Sequence, residues 1–289
     1  MAGQSKSVVK KTAGALSTTD FLKQIDNIGV DGFEGVDEIF QTMPQCKIAG
    51  YKSEVVMKGQ PGYIEGLEPG MIYNTASKNI LTGKNGKAPL VIIGVFHGFT
   101  RFGARMGEFR GNYSVDEMKE KVNAGEYVEK TFSTFVTPKT VNIKGEEIPV
   151  ETCTDTISLF VLSAKHPKDG LMLMSFSSTS FPLGKKWVMK ARQVRLPNTQ
   201  NQYMFAAIWD VGTYLNPNQE YKSPFYTIGD ASPDVTQIGL LTDEKYAYLY
   251  PHVLQAVDAY KARIATMSDI VVEAQGYSKK IDDNEEDFS

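Results

Sequence analysis

Cysteine is scarce. The chain has two thiols, Cys46 and Cys153, in 289 residues. That argues against a disulfide scaffold and for a reducing interior, with both thiols in the core. Long apolar runs are missing too. The longest, Pro89 to Phe96, has strand length and falls far short of the roughly 20 residues of a membrane helix. No membrane association is expected. Lys6, Lys10 and Lys11 are followed by no apolar stretch, so the first residues do not read as a secretory signal. The three histidines, His97, His166 and His252, show no metal-ligand spacing to one another or to cysteine. The phosphate-binding loop, the dinucleotide glycine pattern and the serine elbow are all missing; Gly184-Lys185 lacks the upstream glycine and the following Ser/Thr. The expectation is a protein that is not an enzyme and needs no metal or cofactor.

Two local absences point further. Residues 281–289 hold Asp282, Asp283, Glu285, Glu286, Asp287 and Phe288, with no base. Such a segment buries too little apolar surface to fold alone and reads as an interaction tail. The whole chain has 31 Lys+Arg against 34 Asp+Glu; without those five acids the remainder is slightly basic. The second absence lies between Asp169 and Asp210, where no carboxylate occurs. Lys185, Lys186, Lys190, Arg192 and Arg195 fall in that stretch, around Trp187. On a helix, Lys186 and Lys190 share a face. Ser177 to Ser180 precede it and are candidates to donate hydrogen bonds to phosphate.

A third concentration is present rather than absent. His97, Phe99, Arg101, Phe102, Arg105, Phe109, Arg110 and Tyr113 interleave aromatics with arginines, and Glu108 is the one acid among them. Cations neutralise phosphate, and aromatic faces stack on bases whatever the base. The recurring glycines at 94, 98, 103, 107 and 111 allow close backbone approach. A weaker group is Lys130, Phe132, Phe135, Lys139 and Lys144, flanked by Glu129, Glu146 and Glu147.

The pattern along the chain is mostly β. Strands are expected at 48–56, 71–80, 90–96, 130–143, 155–164 and 171–177. Met204 to Val211 and Pro224 to Ile228 are expected to pair across Asn216-Pro217-Asn218. Ser114 and Glu117 form a capping-box signature for a helix to about Asn123. A second helix is expected over 179–195, with Pro182 in its first turn. Thr242 is expected to cap a closing helix, kinked at Pro251. The fold class is β-rich α+β: an OB-like antiparallel barrel with inserted helices and a C-terminal helix. Residues 1–19 form a flexible basic arm, 20–265 the single core domain and 266–289 the acidic tail.

The chain resembles single-stranded DNA-binding proteins of bacteriophages. The likeness rests on Gly66 to Asn74 with the strand 90–96, on Leu173 to Arg195, on Phe205 to Phe225 with the closing helix, and on the acidic end with its near-terminal Phe. The resemblance implies an OB-fold that holds single-stranded DNA. It also implies a tail that contacts phage or host replication or recombination proteins, and action in the cytoplasm of the infected bacterial host. By residue type the groove falls to Phe99, Arg101, Phe102, Arg105, Phe109, Arg110, Lys185, Lys186, Trp187, Lys190 and Arg192. Self-association on DNA through the basic arm is a further expectation. A strand-annealing recombination mediator, an inhibitor of a host enzyme acting through the tail, and a metal-dependent nuclease are the rival readings.

Overall fold

A computed structural model describes residues 17–26, 43–104, 108–131, 133–197, 202–216, 225–228 and 235–262. Its frame is two long antiparallel strands, β3 (Ala88–Gly103) and β9 (Glu151–Ser163), paired along their whole length. Their inward residues are Val, Ile, Leu and Phe, which suit a pleated surface buried on both sides. A register shift between Ile92 and Gly94 moves the alternation by one residue. Val91, Ile93 and Phe96 therefore face one core, and Leu90, Ile92 and Val95 the other.

Each long strand serves two neighbours. The first part of β3 pairs with β11 (Ala207–Val211), which pairs in turn with β14 (Val235–Leu240). The end of β3 pairs with β4 (Phe109–Ser114) in a hairpin. The other edge of β9 takes β10 (Leu171–Ser177) and then β6 (Thr134–Val136), which carries β5 (Val128–Thr131). The result is a curled, half-barrel antiparallel sheet. Two-stranded ladders stand beside it: β1 (Cys46–Ile48) with β2 (Ile72–Asn74), β7 (Thr140–Ile143) with β8 (Glu146–Pro149), and β12 (Thr213–Asn216) with β13 (Phe225–Ile228).

Helices cover both faces of the sheet. On one face lie α1 (Thr18–Asp26) and the closing helix α4 (250–262), where Phe21 stacks on Tyr250 at 4.2 Å. On the other lies α3 (Phe181–Ala191), whose Trp187, Val188 and Ala191 are buried. The helix α2 (Val115–Asn123) starts with the expected capping box between Ser114 and Glu117. Pro182 sits in the first turn of α3, where its missing N–H costs nothing.

Several boundaries differ from the sequence reading. The strand expected over 48–56 stops at Ile48; Gly50 to Lys52 turn the chain, and Glu54–Val56 is a short 3-10 helix. The arm expected over 71–80 is β2 alone. Residues 204–211 do not pair with 224–228. Instead β11 joins the main sheet, and Thr213–Asn216 takes Phe225–Ile228 as partner. Pro251 does not kink α4 but lies in its first turn, after a 3-10 stretch over Glu244–Leu249.

Candidate nucleic-acid interface

Of the arginines expected to meet phosphate along 97–113, Arg101 lies on β3 and Arg110 on β4, and carboxylates already hold both. Arg101 Nε donates to Glu151 Oε1 at 2.9 Å and its Nη2 to Oε2 at 3.2 Å. Its guanidinium also stands 4.3 Å over the Tyr113 ring. Arg110 donates to Glu108 at 3.1 Å and reaches Glu151 at 3.6 Å. Glu151 is buried, and Tyr127 donates its hydroxyl to it as well. Burial pushes the Glu151 carboxyl up, but the hydrogen bonds from Arg101 and Tyr127 and the Arg101 and Arg110 charges outweigh it and hold it low. Burial and the same carboxylate raise the Tyr127 phenol. Burial pushes the Cys153 thiol up to about 11.

The aromatics of this hairpin are engaged too. Phe99 packs edge-on to Phe135, against the small core of Met118, Tyr127 and Cys153. Phe102 and Phe109 meet edge to face at 6.5 Å, and Phe109 also packs on the core beneath α4. Arg105 and Phe132 lie outside the described residues, as do Asp282, Asp283, Glu285, Glu286, Asp287 and Phe288 of the tail.

The acid-free stretch has a different environment. It supplies β10, α3 and β11. Gly184 lets α3 lie close on β10: a Cβ there would meet Phe176 Cβ at 2.8 Å. Trp187 follows one turn later and is fully buried, between Phe176 and Trp209 at 6.1 and 6.5 Å. This overturns the placement of Trp187 in a groove: it anchors the helix and has no face to offer a base. Its burial turns Lys185, Lys186 and Arg192 outward, with Lys190 half-buried beside them. Of the serines ahead of the helix, Ser180 is taken up by the turn, accepting from the Ser177 N–H and donating to the Ser177 carbonyl.

At the C-terminal end of α3 an open groove of about 580 Å³ runs to the sheet edge. It is lined by Lys190, Gln193, Val194 and Arg195 from the end of α3, by Trp209 of β11, and by Val235, Thr236, Gln237 and Leu240 of β14. Helix carbonyls at such an end repel anions. Here the N–H groups of Arg192, Gln193 and Val194 cap the carbonyls of Val188, Lys190 and Ala191. With its carboxamide turned so that both ends are satisfied, Gln202 donates to the Arg192 carbonyl and accepts from Arg195 at 3.2 Å. None of the described lining residues is acidic. The sequence reading had α3 and its lysines, but not Gln193, Trp209 or Gln237. The contribution from β14 follows β11 after a long excursion, and no local pattern announces it.

The chain belongs to the Pam3 phage gp34-like protein family, whose family model matches residues 10–251. It is therefore a phage protein, and the matched stretch contains both the arginine hairpin and the groove. No curated protein and no solved structure matches the chain. Among the described residues, no helix is long and apolar enough to cross a membrane, and no group of His, Cys, Asp and Glu is placed to hold a metal ion.

Proposed function

We propose that this gp34-like protein binds single-stranded DNA during phage replication or recombination, in the cytoplasm of the infected bacterium, and that it is not an enzyme. The observation that carries the reading is the groove at the end of α3. Its described lining residues include Lys190 and Arg195 and no acid, and Lys185 and Lys186 lie on the same helix, with Arg192 at its C-cap. A surface of that kind gains affinity from counterion release when phosphates replace bound ions. The resemblance to phage single-strand binders directs the reading to DNA. An OB-like description of the curled sheet belongs to the same proposal, supported by the bulge in β3 and by the sharing of β3 and β9 among several shorter strands. In this reading the acidic end recruits phage or host replication proteins and competes with DNA for the cationic surface.

The test is a fluorescence titration. Trp209 lines the groove, so its emission reports occupancy. Oligo-dT is titrated at several salt concentrations, with a duplex control. Binding to the single strand that weakens steeply with salt is expected. Changing Lys185, Lys186 and Lys190 together to Glu should weaken it by about tenfold or more, with circular dichroism confirming the fold. No complex with either DNA form at low salt, by emission and by mobility shift, overturns the reading. Unchanged affinity in the triple variant overturns the site.

A further inference from the structure

The same groove has features that phosphate alone does not require. Val194, Val235 and Leu240 give it apolar walls. Gln193, just past α3, and Gln237, on β14, both line it, and each carboxamide carries both donors and an acceptor. Trp209, also in the lining, is almost fully buried, and its indole N–H meets no acceptor among the described residues. The volume lies in the range of small-molecule sites.

We infer that the groove takes one nucleotide unit of the strand, with its base inserted between Gln193 and Gln237 and its flanking phosphates on Lys190 and Arg195. The inference rests on the single-strand reading above and deepens it. The two carboxamides meet the polar edge of the base, and the apolar walls cover its faces. Because a carboxamide both donates and accepts, the groove admits any base that presents a carbonyl or ring-nitrogen acceptor. The site therefore reads the presence of a base more than its identity.

The experiment compares an eight-nucleotide oligo-dT with an abasic oligomer of the same length and charge, both by competition against a fluorescein-labelled oligo-dT. Base insertion predicts about five- to hundredfold weaker binding of the abasic strand. It also predicts that the Gln193→Leu/Gln237→Leu variant loses most of that difference while its affinity for the abasic strand stays unchanged. Both glutamines are exposed, so the variant should fold. Equal affinity for the two strands overturns base insertion and leaves the single-strand reading standing. A double variant that discriminates as well as the natural chain overturns the role of the glutamines. If neither strand binds, the single-strand reading falls and this inference with it.

Discussion

Arg101 and Glu151, 50 residues apart in sequence, are joined by two parallel guanidinium–carboxylate contacts of 2.9 and 3.2 Å across the long β3–β9 pair. This pairing changes the meaning of the aromatic and basic cluster on the hairpin. The guanidinium is held side-on through Nε and Nη2 by a buried carboxylate, and turning it to a phosphate would leave Glu151 buried and unpaired. The cluster is a structural joint between β3, β4, β9 and the segment carrying Tyr127.

Replacing Glu151 with Gln should therefore destabilise the protein by about 3 kcal/mol near neutral pH, read by urea denaturation. The pH dependence follows from the direction of the Glu151 shift, which is downward on folding. A carboxyl with a lowered folded-state value contributes fully above its unfolded value of about 4.3. That contribution is lost as pH falls through the folded value. The natural chain should thus lose stability below about pH 4.3 more steeply than Glu151→Gln does. Parallel curves for the two proteins would remove Glu151 from the joint.

A second prediction concerns Gly94. A Cβ on this residue would lie 2.3 Å from the Tyr260 ring, which packs across β3 from α4. Gly94→Ala should cost about 1–3 kcal/mol. Adding Tyr260→Leu should recover part of that loss, because the ring is the obstacle. Losses that simply add in the double variant would show that the contact is not the cause.

Trp187 separates the packing role from the binding role. It is fully buried beside Phe176 and Trp209, so Trp187→Ala should cost about 3–5 kcal/mol. Trp187→Phe keeps most of the volume. It should leave oligo-dT affinity within about twofold, whereas a base-stacking tryptophan would lose roughly 1–3 kcal/mol of binding. A large affinity loss in a well-folded Trp187→Phe would return this residue to the interface.

The Trp187 result shows where sequence reading reaches and where it stops. Signals that act within one turn or one hairpin were legible: Ser114 with Glu117, Pro182 at the start of α3, and the β10 strand over 171–177. Each depends on neighbours a few residues away. The acid-free stretch was also legible, because composition is local. What the chain did not reveal depends on distant partners. Nothing near Arg101 names Glu151, and nothing near Lys190 names Gln237. The alternation along β3 misleads beyond Ile92, since one bulge exchanges its two faces. Trp187 among lysines looked the same whether it faced a ligand or the core, and only the approach of Phe176 and Trp209 decides it.

The two cationic regions make opposite predictions for salt dependence. Arg110 is hydrogen-bonded to Glu108 and lies near Glu151, so Arg110→Gln should leave the slope of log affinity against log salt unchanged. Lys185 is exposed on α3, and Lys185→Gln should reduce that slope by about 0.7, the loss of one phosphate contact on a single strand. Comparing two surface substitutions of equal charge change removes the effect of net charge on the protein. The reverse pattern, with Arg110→Gln shallow and Lys185→Gln unchanged, would move the phosphate track from the helix to the hairpin. It would also require the Arg110 contacts with Glu108 and Glu151 to open when DNA binds.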